Sequence, residues 1–356
     1  MHTATAAGTA LTTLALLTST ALAQTPSLVL FPQDGSSSAF ISMARSTGEV
    51  VASGPNFSRF IYRNGAWSPL TVLGSAGTVK EISPDGRSFV GDQSAGYLTW
   101  TQSSGVRPIG LPAGRTFDSS STSSWVGNNA NYVIANFQSG TDRKPFKWTQ
   151  ATGWQQLPNP GLTATRVFDV TPDGTAMVGQ ALDFASSDFY LYREGVGITN
   201  LGGFRAAALN DTGTVMVGSR RNPNSVFETS LLRQPVGDLV ELGLVNGFAG
   251  SIATDLSNDA SVVVGRLFLA DGINSSAFIW TPQQGMRTIT AVAADYGIAF
   301  PTHQSVLEIA LSADGGTIAG TFESGPSLNT FILTIPAPTT ALPLAMTALL
   351  ATRRRR

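Results

Sequence analysis

The sequence contains no cysteine and only two histidines, and these absences limit its possible chemistry. Without cysteine there is no thiolate nucleophile and no thiolate ligand for a metal. The two histidines, His2 and His303, argue against a His-based metal site or a catalytic triad. The composition therefore says more about shape and location than about chemistry, and it predicts no cofactor.

Charge is also scarce, because charged residues make up 13% of the 356 residues and the net charge is -1. Four of the 22 Lys and Arg lie at the extreme C-terminus, so the rest of the chain is slightly acidic and has no basic stripe. Binding to nucleic acid is therefore not expected. The 42% hydrophobic content permits a large core, and the 9% aromatic content argues against disorder.

The N-terminus has the pattern of a signal peptide. Residues 11–22 form a short apolar run rich in Thr, and Ala21 and Ala23 provide the small-x-small pattern before a cleavage site. We predict that residues 1–23 are removed during export. The run is too short to span a bilayer comfortably, and a buried first helix is the alternative.

The C-terminus has three parts in a fixed order. Ile335-Pro336-Ala337-Pro338 is followed by fourteen uncharged residues, 339–352, and then by Arg353, Arg354, Arg355 and Arg356. The apolar segment is short for a permanent anchor, and the arginines are expected to stay cytoplasmic. This order predicts transient contact with the inner membrane.

This tail, residues 336–356, resembles the PEP-CTERM sorting signal of bacteria that use an exosortase. Pro336 and Pro338 match the two prolines of that family, and Ala337 stands where the family usually has Glu. The resemblance implies a sorting protease of the exosortase type as a partner. A plain C-terminal tail anchor is the alternative.

Between the two ends, one ten-residue phrase recurs along the chain. Its form is Ile/Leu-Ser-x-Asp-Gly followed by a strand that ends in Val-Gly. Clear copies occupy residues 82–91, 170–179, 209–218, 256–265 and 311–320, and weaker copies occupy 46–52 and 128–135. The copies recur at about the 40 to 50 residues that are typical of a propeller blade.

Each copy continues with a short aromatic strand, a Gly turn and a further strand, so one unit holds four strands. The Asp-Gly pair suits the tight turn between the first two strands. Short strands at even spacing, without helical periodicity, predict an all-β fold. We expect residues 24–335 to form a β-propeller of seven four-stranded blades.

The last unit lacks a fourth strand, whereas the segment 27–31 precedes the first unit without partners of its own. The unpaired N-terminal segment can therefore supply the strand that the last unit lacks. We expect the N-terminal strand to complete the seventh blade and to close the ring, which removes two open sheet edges.

The repeated phrase, together with segments such as Ala277-Phe-Ile-Trp280, looks like the extracellular HAF repeat, and the match extends from Phe40 to Thr334. The resemblance implies an exported bacterial propeller of the cell surface or of exopolysaccharide, with no defined reaction. The third copy departs from the pattern, because Gly127-Asn-Asn-Ala replaces the Asp-Gly turn and residues 119–124 are all Ser or Thr. That blade is expected to be irregular or absent.

Three carboxylates occupy the same place in the repeat, on the innermost strand that faces the central channel. Glu81, Asp169 and Asp255 could together bind a cation such as Ca²⁺, which prefers several oxygen ligands. The alternative is a structural role in which they accept hydrogen bonds from the backbone of neighbouring blades. This alternative is the more economical one.

Two other recurrent sets follow the period of the fold. Aspartates recur in the first turn of the blades at Asp85, Asp173, Asp259 and Asp314, and aromatic residues recur on the third strand at Trp100, Trp148, Tyr192 and Trp280. We expect the aspartates to stabilise turns and the aromatic residues to pack between blades. Stacking of the aromatic residues on sugar rings is the alternative.

One long segment, residues 290–305, interrupts the period, and it carries Asp295, Tyr296, Phe300 and His303. Residues 291–296 are expected to form a helical turn. Because function on repeat scaffolds often lies on such excursions, these four residues are the predicted ligand-binding surface.

These observations favour an exported binding or scaffolding protein of the cell surface or extracellular matrix, with polysaccharide or a surface protein as its partner. No catalytic residue is predicted. A carbohydrate-active hydrolase or lyase that uses carboxylates is the main alternative, and a structural filler of the matrix is another. The sequence leaves the ligand open.

Overall fold

A computed structural model describes ten stretches of the chain. They are residues 25–33, 40–53, 58–74, 77–118, 123–159, 164–182, 187–221, 227–234, 239–325 and 327–336. The predicted cleavage residues Ala21 and Ala23 lie outside them, as do Pro338 and the four C-terminal arginines. Within the described stretches, no helix has both the length and the apolar character needed to span a bilayer.

The described chain is almost entirely β-structure and forms a ring of seven four-stranded blades, which confirms the predicted seven-bladed β-propeller. In each blade the strands follow one another from the central channel outward, and neighbouring strands are antiparallel. The strand β1 (Ser27–Gln33) is the exception to this order, because it belongs to the last blade.

The first four blades occupy the N-terminal half of the chain. Blade 1 contains β2 (Ile41–Met43), β3 (Val50–Ser53), β4 (Arg59–Arg63) and β5 (Ala66–Pro69). Blade 2 contains β6 (Thr78–Ile82), β7 (Ser88–Gln93), β8 (Gly96–Thr101) and β9 (Gly105–Gly110). Blade 3 contains β10 (Thr116–Phe117), β11 (Ser124–Val126), β12 (Val133–Ser139), β13 (Asp142–Thr149) and β14 (Gly153–Gln156). Blade 4 contains β15 (Ala164–Val170), β16 (Ala176–Leu182), β17 (Ser187–Arg193) and β18 (Gly197–Gly202).

The remaining three blades follow in the same order. Blade 5 contains β19 (Arg205–Leu209), β20 (Met216–Arg221), β21 (Glu228–Arg233) and β22 (Leu239–Glu241). Blade 6 contains β23 (Gly250–Leu256), β24 (Val263–Phe268), β25 (Ser275–Thr281) and β26 (Gly285–Thr288). The helix α1 (Ile289–Asp295) precedes blade 7, which contains β27 (Ser305–Leu311), β28 (Thr317–Ser324) and β29 (Ser327–Thr334).

The ring closes between the two ends of the described chain, as predicted. Strand β1 pairs antiparallel with β29 along its whole length, from Ser27 opposite Thr334 to Gln33 opposite Leu328. The first strand of the chain therefore becomes the outer strand of blade 7. This pairing covers the backbone groups of β29 that would otherwise form an open edge.

The repeated Asp-Gly turn has the same hydrogen bonds in several blades. In blade 4, the Thr171 hydroxyl donates to Asp173 Oδ1 at 2.7 Å, and Asp173 Oδ1 accepts from Thr175 N at 3.0 Å. The next residue, Gly174, has a φ of +70°, which favours glycine. Asp85, Asp259 and Asp314 make the equivalent bonds, so the predicted turn role of these aspartates is confirmed.

Glycine at the end of the repeated phrase is needed for a different reason, which is that two strands approach each other closely there. The first strand of a typical blade contains a β-bulge, for example between Ala206 and Ala208 in blade 5. A Cβ atom on the facing Gly218 would lie 1.9 Å from Arg205 O, and one on Gly179 would lie 2.1 Å from Arg166 O. The bulge therefore requires glycine at this position.

The core formed by the described residues is divided into seven clusters, and each cluster lies between two neighbouring blades. Trp148 and Trp280, on the third strands of blades 3 and 6, are buried in such clusters. This confirms the predicted packing role for these two rings. Burial of each large apolar side chain contributes roughly 1.5 to 3 kcal/mol, so the stability of the ring is distributed over all seven interfaces.

Blade 3 is present but irregular, as its sequence suggests. Its innermost edge consists of two short strands, β10 and β11, which both pair with β12. The residues between them include the Ser/Thr run, whose structure lies partly outside the described residues. The missing Asp-Gly turn is replaced by a short 3-10 helix, Asn128–Ala130.

The alternation of strand directions gives the ring two different faces. The turns between the first and second strands, and between the third and fourth strands, lie at one end of the ring, which we call the turn face. The connections between blades lie at the other end. The helix α1 lies in such a connection, between β26 and β27, and so it lies on the face opposite the turn face.

Candidate functional site

The innermost strands surround a central cavity of about 220 Å³, to which every blade contributes. Glu81, Asp169 and Asp255 all line this cavity. They are equivalent in register, since each pairs with the valine that precedes the glycine of the second strand, namely Val90, Val178 and Val264. The predicted position of the three carboxylates in the channel wall is therefore confirmed.

Two of these carboxylates hold neighbouring blades together. Asp169 Oδ2 accepts a hydrogen bond of 2.7 Å from Leu209 N, which joins blade 4 to blade 5. Asp255 Oδ2 accepts one of 2.7 Å from Leu311 N, which joins blade 6 to blade 7. Through these bonds the two aspartates have the structural role that was the alternative to cation binding.

Glu308 has the same role at the point where the ring closes. Its Oε2 atom accepts a hydrogen bond of 2.8 Å from Ile41 N, so it joins blade 7 to blade 1. Burial raises the pKa of Glu308, while this hydrogen bond and the nearby Arg266 and Arg59 oppose the shift. Glu308 was not predicted from the sequence as a channel residue.

Glu81 differs from the other carboxylates because, among the described residues, it accepts no hydrogen bond from a backbone amide of another blade. Its Oε1 atom accepts a hydrogen bond of 2.5 Å from the hydroxyl of Ser42 on blade 1. The same hydroxyl accepts a bond of 3.0 Å from Ile82 N. Ser42 therefore links the two blades, and Glu81 remains a carboxyl group in the cavity wall.

Both Glu81 and Asp169 have pKa values close to neutrality. Burial raises the pKa of Glu81 to about 8, although the hydrogen bond from Ser42 opposes the shift. Burial also raises the pKa of Asp169 to about 7, although the charge of Arg45 opposes it. Burial disfavours the charged form of a carboxyl group, so Glu81 is mainly protonated at neutral pH.

Arg45 extends from the first turn of blade 1 across the channel mouth to blades 5 and 6. Its Nη1 atom lies 2.8 Å from Asp255 Oδ1, and its Nε atom lies 3.1 Å from Asp211 Oδ1. Its Nη2 atom donates to Leu256 O at 3.0 Å. Burial lowers the pKa of Arg45, but Asp255, Asp169 and Asp211 together raise it above its ordinary value.

Arg45 was missed by sequence reasoning, although a signal for it exists. In the repeated turn, Arg45 takes the place that Asp211 takes in blade 5 and Pro84 takes in blade 2. Opposite charges at equivalent positions of a ring can meet across its centre. The sequence does not show which two blades face each other.

The three predicted ligands are engaged in contacts within the fold. Among the described residues there is no group of three or more His, Cys, Asp or Glu side chains arranged to hold a metal ion. Asp169 and Asp255 are bonded to backbone amides of other blades, and Asp255 also binds Arg45. The carboxylates are thus in the predicted strands but are not grouped as ligands of one ion.

The four residues predicted to form a ligand-binding surface on segment 290–305 do not share one environment. The expected helical turn is present as α1. Asp295 forms an ion pair with Arg287, and Tyr296 is exposed. Phe300 is instead a buried core residue that packs on Phe322 and Phe331, which corrects its assignment to a binding surface.

His303 is also held by contacts within the fold. Its Nδ1 atom lies 3.1 Å from Pro301 O, and its Nε2 atom lies 3.3 Å from Ser276 Oγ. The ring packs edge-on against Phe300. Of the four predicted residues, only Asp295 and Tyr296 are therefore well exposed.

Comparison with solved structures supports the propeller architecture. The chain resembles an oligogalacturonate lyase in complex with manganese, with a TM-score of 0.61 and 11% identity over 87% of this chain and 96% of that one. It resembles the oligogalacturonate lyase of Vibrio parahaemolyticus with a TM-score of 0.60 and 10% identity, over 88% and 98% of the two chains. At these identities the likeness shows the fold alone.

A third similar structure is the β-propeller domain of the Trilobed protease from Pyrococcus furiosus. Its TM-score is 0.55, with 12% identity over 87% of this chain and 94% of that one. That domain is described as having an open velcro topology, whereas the present ring is closed by β1 and β29. No family model and no curated protein matches the sequence.

Proposed function

We propose that this protein is an exported propeller that acts as a binding and scaffolding protein at the cell surface or in the extracellular matrix. The proposal rests on the contacts that the charged side chains of the channel make between blades. Asp169, Asp255 and Glu308 each bind a backbone amide of the next blade, and Arg45 binds two of the opposite blades. Charged groups used in this way favour a rigid platform over a catalytic centre.

The proposed location rests on the two ends of the sequence. The signal-peptide pattern that ends at Ala23 supports export, and the tail from Pro336 to Arg356 supports handling by an exosortase-type sorting protease after transient contact with the inner membrane. The proposed partner is an extracellular polysaccharide or a surface protein.

The location can be tested with the complete chain in two bacterial hosts, one with an exosortase and one without. We expect secreted or surface material that begins at Gln24, and processing of the tail only in the first host. Intact mass spectrometry of each cell fraction reports both cleavages. Full-length protein confined to the cytoplasm of both hosts would contradict the proposal.

The binding role can be tested by sedimentation of the purified protein with cell envelopes and with extracellular polysaccharide from the exosortase-containing host. We expect saturable binding to one of them, with no change in the mass of the bound material. Absence of saturable binding to either would favour a structural filler of the matrix instead.

A carbohydrate-active enzyme is the second candidate, and one observation favours it. Glu81 lines the cavity, has a pKa that burial raises to about 8, and joins no backbone amide of another blade within the described structure. A protonated carboxyl group of this kind can act as a general acid. Glycoside hydrolysis also needs a second carboxylate roughly 5 to 10 Å away, and Asp169 is engaged by Leu209 N.

The similar lyases make oligogalacturonate a sensible test substrate for this second candidate. One of them is described as a manganese complex, which is a property of that protein, and we derive no metal-dependent step for this chain. Release of reducing ends or of unsaturated products, abolished in Glu81→Gln and retained in Glu194→Gln, would establish the enzyme. We expect no product.

A further inference from the structure

A groove between blades 1 and 2 opens on the turn face and has a volume of about 370 Å³. Small-molecule sites usually have volumes of roughly 300 to 1,000 Å³, and the central cavity of about 220 Å³ is below that range. The groove is formed by the first turns of both blades and by the apolar Leu70 and Val72. It is therefore better suited than the channel to hold a ligand.

Trp100 in this groove is less buried than the tryptophans at the equivalent places in blades 3 and 6, and Tyr192 of blade 4 is likewise half-buried. Trp148 and Trp280, at the same place in blades 3 and 6, are buried, with 7% and 9% exposure, whereas Trp100 is half-buried and lines the groove. The Trp100 ring packs against Phe89 at a centroid distance of 5.5 Å. Its Nε1–H donates no hydrogen bond to any described residue. Trp100 is thus a partly exposed ring of the repeated set that lines this groove.

Polar groups around this ring are held in fixed positions. Arg63 binds Glu49 through two contacts, Nε to Oε1 at 2.6 Å and Nη2 to Oε2 at 2.7 Å, and its Nη2 atom also donates to Gly86 O at 2.8 Å. The side chains of Gln102 and Arg87 also line the groove, and they make no hydrogen bond or ion pair within the described part of the chain. The groove thus offers an aromatic face beside available hydrogen-bond donors.

The charges that line the groove are balanced. Two guanidinium groups, of Arg63 and Arg87, face two carboxylates, of Glu49 and Asp85. Asp85 is engaged by Ser83 Oγ, and Glu49 is engaged by Arg63. This balance favours a neutral, hydroxyl-rich ligand over an anion.

We propose that this groove binds a neutral pyranose unit of a polysaccharide, which stacks on Trp100 and forms hydrogen bonds with Arg87 and Gln102. The proposal rests on the binding role proposed above and gives it a site and a class of ligand. A sugar ring has an apolar face of C–H groups and a rim of hydroxyls, which match the ring and the donors of the groove.

The test uses the complete exported chain and three neutral probes, which are cellohexaose, maltohexaose and isomaltohexaose, with hexagalacturonate as an acidic comparison. Titration calorimetry measures each Kd. We expect at least one neutral probe to bind, and we expect Trp100→Ala to weaken that binding by about tenfold or more. Trp100→Phe, which keeps an aromatic face, should restore most of the affinity.

The matched control is Ile273→Ala, which removes an exposed apolar side chain from the connection between β24 and β25 on the opposite face and should leave the Kd unchanged. Because Trp100→Ala also removes packing against Phe89, two further variants, Arg87→Ala and Gln102→Ala, test the site without loss of core. We expect each of them to weaken binding at an unchanged melting temperature.

The failure of this inference is distinguishable from failure of the proposed function. If the protein binds cell envelopes but none of the neutral probes, the site assignment is wrong and the binding role stands. Binding of hexagalacturonate alone would overturn the assignment of a neutral ligand. Loss of sugar binding in Tyr296→Ala but not in Trp100→Ala would place the site on the long excursion instead.

Discussion

Arg45 Nη1 lies 2.8 Å from Asp255 Oδ1, although the two residues belong to blades 1 and 6 and lie 210 positions apart in the sequence. Both side chains are largely buried, with 16% and 13% exposure. Because a second carboxylate, Asp211, also contacts Arg45, one guanidinium connects three blades at the channel mouth. Ring closure by β1 and β29 at the periphery is therefore matched by an ionic connection at the centre.

Replacement Arg45→Ala is expected to destabilise the ring strongly. It leaves the buried Asp255 without its cation, and loss of one partner of a buried pair typically costs roughly 3 to 5 kcal/mol. The free energy of unfolding in urea measures the effect. Arg205→Ala, which breaks an exposed pair with Glu228, is the control and should change the free energy by less than about 1 kcal/mol. Equal effects of the two changes would contradict the role of Arg45.

The peripheral closure could be predicted from the sequence because it follows from counting strands. The last unit lacked one strand and the N-terminus had one too many, and β1 indeed pairs with β29. Repeated turns were predictable for a similar reason, since Asp173 and Gly174 serve the local backbone. Features that depend on one blade and its own loops are visible in a repeated phrase.

The contents of the channel were harder to predict, because they depend on which blades face each other. Glu308 shows the difficulty. Relative to Gly320, the glycine that ends the repeated phrase in blade 7, Glu308 occupies the position that Val79 and Val167 occupy in blades 2 and 4. Both of these valines are buried apolar residues. In β27 the bulge falls earlier, between Val306 and Glu308, and Glu308 reaches Ile41 N of blade 1. Phe300 was misassigned because its burial depends on blade 7, which the excursion itself does not reveal.

Deletion of residues 24–32 should give an insoluble protein, because it exposes the edge of β29 and the apolar faces that β1 covers. A chain that begins at Gln24 retains β1 and serves as the control, which should remain soluble. Size-exclusion chromatography and thermal melting provide the measurements. A soluble monomer with an unchanged melting temperature would show that the ring does not depend on this strand.

Substitution Gly218→Ala should destabilise the protein because the added Cβ would lie 1.9 Å from Arg205 O across the bulge of blade 5. The backbone has to shift, and overpacking of this kind costs roughly 1 to 3 kcal/mol. Gly203→Ala, in the connection between β18 and β19, is the control, since a Cβ there meets nothing within 4 Å. Thermal melting of the two variants compares them directly, and equal melting temperatures would count against the glycine requirement.

Stability should decrease as the pH rises from about 5 to 8, owing to Glu81 and Asp169. Their pKa values in the folded protein, about 8 and about 7, are above the ordinary values of 4.5 and 3.8. The folded state therefore retains protons that the unfolded chain has already released, and folding becomes less favourable through this pH range. Each group contributes a slope of roughly 1 kcal/mol per pH unit between its two pKa values.

Urea unfolding at pH 5, 6, 7 and 8 measures this slope in the wild type and in Glu81→Gln. The glutamine keeps the shape of the protonated carboxyl group but does not titrate, so the variant should lose the share of the slope that Glu81 contributes. It should also exceed the wild type in stability at pH 8. Glu194→Gln, at an exposed side chain, should retain the wild-type slope. A wild-type stability that is constant or rises between pH 5 and 8, with no difference in slope for Glu81→Gln, would mean that Glu81 is charged in the folded channel.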